Sequence, residues 1–447
     1  MKPICVVTGC LLGLILLLVL LGASGGALLA IDRSEAAEGA TWPGLRGVQD
    51  GNVEQIGTYI RRRLFPRGVY VVGDYAYLAD IGVWSSSCGC YVDGGLRVID
   101  VSDPAVLAEV GVLPGSVEDV YIVGDYAYLT AGGTGLRVVN VSDPTALAEV
   151  GAYDAPGDAR GVHVAGDYAY LADWRSGLHV VDVSDPTSPT AIGVFDMPTS
   201  SPRDVYVTGN PSTGSGQRYA YVATEDDGLR IINVSDPAAP TEVGAYEMPG
   251  VPFLDVYVAG HYAYVAAGGS GLRVIDVSNP AEPYEVGAYD TPPGYANSVQ
   301  IINHYAYVTS DYFGHPAGFH TAMAPERVVL QVIDVSDSAA PVEIATYATS
   351  GSAFDVHVAG EYTYLAYDWA RRVGGLIILR LTGVPEPTPT PSSTPTSTGT
   401  PTATVTGTAT VLPTATMTPT PTKIPERKLY LPLILRSPSS DLPERVK

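Results

Sequence analysis

Val162-His163-Val164-Ala165-Gly166-Asp167-Tyr168-Ala169-Tyr170-Leu171-Ala172-Asp173-Trp174-Arg175-Ser176-Gly177-Leu178-His179-Val180-Val181-Asp182-Val183-Ser184-Asp185-Pro186 is the stretch whose reading decides the fold. β-Branched and aromatic residues alternate with small or polar ones, the two-residue period of half-buried strands. Gly166-Asp167 between the first two runs is a tight-turn dipeptide, and in Ser184-Asp185-Pro186 the Asp accepts a local backbone bond while the Pro presets φ. Four strands follow, at residues 162–165 (A), 168–172 (B), 178–183 (C) and 191–195 (D).

The strand B phrase occurs seven times along the chain: Tyr75-Ala76-Tyr77-Leu78, Tyr126-Ala127-Tyr128-Leu129, Tyr168-Ala169-Tyr170-Leu171, Tyr219-Ala220-Tyr221-Val222, Tyr262-Ala263-Tyr264-Val265, Tyr305-Ala306-Tyr307-Val308 and Tyr362-Thr363-Tyr364-Leu365. Its spacings of 51, 42, 51, 43, 43 and 57 residues match the length of a four-stranded propeller blade. The seventh unit stops after strand C, while residues 53–59 upstream of the first unit match the strand D phrase Ala148-Glu149-Val150-Gly151-Ala152-Tyr153. The expected architecture is therefore all-β: a seven-bladed β-propeller with four antiparallel strands per blade, closed by an N-terminal strand at 53–59 that completes blade 7 and leaves no open seam.

The phrases Gly95-Leu96-Arg97-Val98-Ile99-Asp100-Val101-Ser102-Asp103-Pro104 and Gly271-Leu272-Arg273-Val274-Ile275-Asp276-Val277-Ser278-Asn279-Pro280 resemble the LVIVD-repeat family of bacterial and archaeal surface proteins, over about residues 53–382. The resemblance implies the fold and a surface location. It carries no shared catalytic residues to this chain.

Composition agrees with a large β core: 447 residues, 46% hydrophobic and 16% charged, with 29 Tyr against 6 Phe. With 25 basic and 47 acidic residues the formal charge is -22, which repels a phosphate backbone and argues against a nucleic-acid partner. All lysines, Lys2, Lys423, Lys428 and Lys447, lie outside the repeats.

The ends read differently. Residues 1–30 have the order of a secretory signal: Lys2, an apolar run from 4 to 21, then small residues. The run also has the length of a membrane anchor if it is left uncleaved. Residues 31–52 read as a linker and 53–383 as the propeller; 384–424 form a Thr/Pro-rich stalk without core-forming residues, and 425–447 a tail with a candidate sorting or attachment motif. The expected location is extracellular, at the cell surface, with membrane contact only through an uncleaved N-terminus or an attached C-terminus.

Three features could carry recognition or chemistry. B–C and D–A loops emerge on one face of a propeller, and there the B–C loop has five residues in blades 2 to 5. It lengthens to residues 80–95 in blade 1, 310–329 in blade 6 and 367–375 in blade 7, which are consecutive around a closed ring. Trp84, Tyr91, Trp174, Tyr312, Phe313, Phe319, Trp369, Arg371 and Arg372 fall in these loops. Exposed aromatics beside Arg suit an extracellular protein or glycan ligand.

Second, Asp119, Asp204, Asp255 and Asp355 begin strand A and should ring the channel mouth. They read as acceptors for neighbouring backbone N–H groups, or as hard oxygen ligands for calcium. Third, Cys88, Cys90, His315 and His320 form a set zinc would accept, with a Cys88–Cys90 disulfide as the simpler fate.

No phosphate-binding loop, paired zinc-protease histidines or nucleophile elbow is present. The expected role is ligand binding or scaffolding without catalysis and without a required cofactor. A metal-dependent hydrolase or lyase on the same face, and a self-associating surface layer, are the alternatives.

Overall fold

The computed structural model describes residues 48–49, 52–209, 216–291, 294–311, 327–349, 351–369 and 373–382. Every regular element in them is a β-strand, and seven antiparallel sheets each set strands A to D side by side, in sequence order in all but the seventh. In blade 3 these are Ala159–Ala165, Tyr168–Asp173, Gly177–Asp182 and Thr190–Phe195. Tyr170 pairs with His163 on one side and Val180 on the other, so the recurrent phrase sits at the centre of its sheet.

The core is divided among the blade junctions. Buried side chains form seven clusters, each drawn from two adjacent blades, such as Leu229 and Ile231 of blade 4 with Val256 and Val265 of blade 5. One of them joins Tyr364 and Ile378 of blade 7 to Val69 and Leu78 of blade 1, closing the circle. Strands B and C supply apolar residues to both sheet faces, which is why their phrases recur with so little variation.

Closure occurs by the expected strand exchange. Val53–Arg62 lies antiparallel to Val373–Leu381, with Val53 opposite Leu381 and Arg62 opposite Val373, and Arg380 Nη2 meets Glu54 Oε2 at 2.6 Å across the pair. The strand is three residues longer than the expected 53–59. Upstream, Val48–Gln49 falls in the expected linker yet pairs with strand D of blade 6, making that sheet five-stranded.

Two repeated contacts explain the rest of the motif. Asp100, Asn140, Asp182, Asn233, Asp276 and Asp334 each accept the backbone N–H two residues on with Oδ1, so the Asn-Val-Ser sequences at Asn140 and Asn233 serve the same turn as the Asp versions. The strand D glycine receives the next blade's turn. A Cβ on Gly111, Gly151, Gly193 or Gly244 would lie 2.0–2.2 Å from the carbonyl oxygen of Pro144, Pro186, Pro237 or Pro280. At the seam, Gly57 meets Pro104 in the same way. Blade 6 has Ala345 at this position, and the blade it faces, blade 7, takes its strand D from the N-terminus and so has no C–D turn to accommodate.

Candidate functional site

Strand A lines the central channel, and bulges at its start re-aim side chains toward the mouth. The register shifts at Pro66/Gly68, Ala159/Gly161, Pro202/Asp204, Ala296/Ser298 and Ala353/Asp355, which leaves Arg67, Arg160, Arg203, Asn297 and Phe354 outside the ladder. With Glu118 and Leu254 from blades 2 and 5 they line a cavity of about 160 Å³ at the mouth. Around the rim, blades 1 to 4 contribute Arg67, Glu118, Arg160 and Arg203, and blades 5 to 7 contribute Leu254, Asn297 and Phe354. One arc is charged and the other neutral.

The next layer down holds Asp119, Gly161, Asp204, Asp255, Ser298 and Asp355, with Gly68 against Asp119. Each Asp clasps the following blade: Oδ2 of Asp119, Asp204, Asp255 and Asp355 accepts the N–H of Val162, Val256, Val299 and Val69, at 2.9, 3.2, 2.7 and 2.7 Å. Asp355 Oδ1 also accepts from Ser298 Oγ at 2.7 Å and from Val356 N at 2.8 Å. The glycines are the small counterparts of this layer, since a Cβ on Gly161 would lie 2.7 Å from Asp204 Oδ1.

Burial raises the Asp119 carboxyl to about 6, helped by the charges of Asp255 and Glu118. Asp355 rises to about 8, through burial and the charge of Asp255. Asp204 is also pushed well up, by burial and by the charge and hydrogen bond of Asp255.

Two residues below the Asp layer, Tyr70, Tyr121, His163, Tyr206, Tyr257, Gln300 and His357 complete a third ring. Neighbouring rings in it meet with centroids 4.6–5.1 Å apart, and Gln300 Oε1 accepts the N–H of Val358 at 2.5 Å. Burial depresses His163 and His357 to about 4, so both are neutral packing residues at pH 7.

Of the three mouth arginines, Arg160 and Arg203 each have one carboxylate partner among the described residues. Arg160 donates Nη2 to Asp158 Oδ2 at 2.9 Å, while its Nε is buried without a partner. Arg203 Nη1 approaches Glu225 Oε1 only to 3.7 Å. Arg67 lies 4.3 Å above the Phe354 ring and has no ion pair among the described residues. The three cations line one cavity, and burial, with the charges of Arg160 and Arg67, lowers the pKa of Arg203. The repeat arginines on strand C differ: Arg97, Arg137, Arg230 and Arg273 face Glu109, Glu149, Glu242 and Glu285 on strand D at 3.2, 3.5, 3.1 and 3.6 Å.

The expected aromatic cluster is only partly placed. Trp84 and Tyr91 are exposed and meet edge-on at 5.3 Å, on a small hairpin, Val83–Ser85 with Cys90–Val92, inside the long blade 1 loop. Trp174 stands beside the mouth, 5.4 Å from the Arg160 guanidinium and 5.6 Å from that of Arg175. Trp369 ends strand B of blade 7, and the nine-residue loop expected there is largely strand, from Tyr362–Trp369 into Val373–Leu381. Tyr312, Phe313, Phe319, Arg371 and Arg372 lie outside the described residues, as does the Trp369 side chain, and with them the expected meeting of three long loops.

Both candidate metal sets contain donors engaged elsewhere. Cys88 and Cys90 are joined in a disulfide, which removes both thiolates; His315 and His320 lie outside the described residues. The four channel aspartates direct oxygens at backbone N–H groups, and among the described residues no group of three or more His, Cys, Asp or Glu is arranged to hold a metal ion. The expected signal, stalk and tail lie outside the described residues.

Missing from the sequence reading was the arginine rim. Its signal was the residue before each layer position: Arg67 before Gly68, Arg160 before Gly161 and Arg203 before Asp204. Strict strand alternation assigns those residues to the opposite face, and only the bulge brings them to the channel mouth.

The LVIVD repeat model matches residues 66–84, 88–113, 114–155, 156–197, 203–248, 254–291, 327–349 and 350–379. No curated protein matches the chain. Among solved structures, the β-propeller domain of Cps50 (Swd1) from Myceliophteria thermophila aligns at 12% identity and TM-score 0.54, over 74% of this chain and 100% of that one. Virginiamycin B lyase from Staphylococcus aureus aligns at 10% identity and TM-score 0.53, over 74% and 99%. The computationally designed Ika8 protein gives 8% identity and TM-score 0.48, over 74% and 100%. At these identities the likeness to the first two is one of fold.

Proposed function

The chain belongs to the LVIVD-repeat family, and from that premise we propose that it is an exported cell-surface binding protein, which takes a protein or carbohydrate ligand on the face bearing its B–C loops and does no chemistry on it. One observation carries the reading: structural variation is concentrated on that face. There lie the blade 1 hairpin with exposed Trp84 and Tyr91, the bulged strand starts, and the cavity with Trp174 at its edge. The opposite face repeats one Asx turn around six blades. A rigid ring that holds irregular, aromatic-bearing segments on one side is the arrangement of a recognition scaffold.

The secretory order of residues 1–30 and the stalk composition of 384–424 support display outside the cell, with the propeller held away from its attachment point. A paired array of glycans and extracellular proteins, probed with the wild-type chain and with Trp84→Ala/Trp174→Ala, tests the reading. A specific signal that the double variant loses is the expected result. Retention of every signal by the double variant, or no signal at all, removes the assignment of this face.

A further inference from the structure

Within that binding face, we propose that Arg67, Arg160 and Arg203 form a receptor for one carboxylate group carried on a small ring, as in an acidic sugar; this rests on the reading of the face as the recognition surface. Converging cations repel one another, so holding three around one cavity favours occupation by an anion. Other arginines in the repeats show what the fold does with a cation it needs for structure, since each strand C guanidinium faces a glutamate one strand away. Among the described residues the mouth arginines make one hydrogen bond, from Arg160 to Asp158, and Arg203 a looser ion pair with Glu225, which leaves planar donor sets of the kind that grip a carboxylate with two parallel bonds.

Counter-charge from the layer below is limited. The channel aspartates spend oxygens on backbone N–H groups; burial holds Asp355 largely protonated at neutral pH and pushes the Asp204 carboxyl well up, while Asp119, at about 6, keeps its charge there. Glu118 stands between Arg67 and Arg160 on the rim, and its charge and that of Glu225 offset part of the Arg203 charge.

The rest of the rim suggests what the carboxylate is attached to. Leu254 and Phe354 offer apolar surface beside Arg203 and Arg67, and Asn297, with one amide N–H given to Ala353 O, keeps a second donor and an acceptor between them. A cavity of about 160 Å³ is comparable with one that holds a single six-membered ring. A pyranose with a carboxylate at one edge, an apolar C–H face and hydroxyls at the other edge meets all three surfaces. A bare inorganic anion would use the arginines alone.

Titration of the full chain with glucuronate, glucose, acetate and sulfate, followed by calorimetry or ligand-observed NMR, tests this. Glucuronate should bind, glucose should not, and acetate and sulfate should compete only weakly. Arg203→Gln and Arg67→Gln should each weaken glucuronate roughly ten- to a hundredfold, the loss of a charge-assisted hydrogen bond. Arg203→Lys should recover part of that loss, and thermal melting of each variant checks that it is folded. Equal binding of glucose, sulfate binding as tightly as glucuronate, or no effect of either Gln variant overturns the proposal. Array signals that depend on Trp84 and Trp174 but not on the arginines would overturn it while leaving the proposed binding face standing.

Discussion

Replacing one atom at the ring seam should show by its sign whether the ring is closed. In Gly57→Ala the new Cβ would sit 1.8 Å from the Pro104 carbonyl oxygen, and in Gly244→Ala, at the junction of blades 4 and 5, 2.2 Å from that of Pro280. Ordinary contact begins at 3.4 Å, so the turn must retreat by about 1.6 Å at the seam and about 1.2 Å inside the ring. Movements of that size between close-packed blades cost about 1–3 kcal/mol. Neither glycine has a positive φ, so without the facing turn the same change would stabilise by about 0.4–1 kcal/mol through the unfolded chain.

Urea denaturation of the two variants beside Ala345→Gly is the assay. Both alanine variants should lose stability, Gly57→Ala at least as much as Gly244→Ala, and Ala345→Gly, whose methyl is buried, should lose about 1–2 kcal/mol from backbone entropy and the lost methyl together. A neutral or stabilised Gly57→Ala beside a destabilised Gly244→Ala would refute the packing of residues 53–62 against blade 1.

Asp119→Ala removes the acceptor of Val120 N and Val162 N and should cost about 1–3 kcal/mol by thermal melting, with Glu118→Ala close to neutral. Asp355, at about 8 in the fold against 3.8 for a free side chain, binds its proton more tightly when folded; its contribution is full below 3.8 and is lost as pH rises through 8. His163 and His357, at about 4 against 6.5, act in the opposite sense, with their contribution full above 6.5 and lost as pH falls through 4. Melting temperature should therefore decline from about pH 6.5 to pH 8, and Asp355→Asn should flatten that limb; a profile that rises over this interval contradicts the buried-carboxyl assignment.

How much of this was legible depended on how local each cause was. The blade count and the strand exchange were readable because alternation and turn dipeptides act within a few residues, and because residues 53–59 repeat the strand D phrase that the seventh unit lacks. The aspartate latches were legible as a kind of contact, though their partners lie one blade on, 43 residues away for Asp119 and Val162. Arg67, Arg160 and Arg203 were not legible as a group, because their meeting depends on a backbone irregularity in three separate blades. Val48–Gln49 was missed because two residues carry no period, and their pairing is licensed by the free edge of blade 6.

A crystal of the chain soaked with glucuronate would show most directly whether the channel mouth is the recognition centre. A carboxylate within hydrogen-bonding distance of Arg67 and Arg203, with its ring against Phe354, is the predicted density. Ordered ligand only on the turn face, or none at the mouth under concentrations that saturate binding in solution, would contradict it.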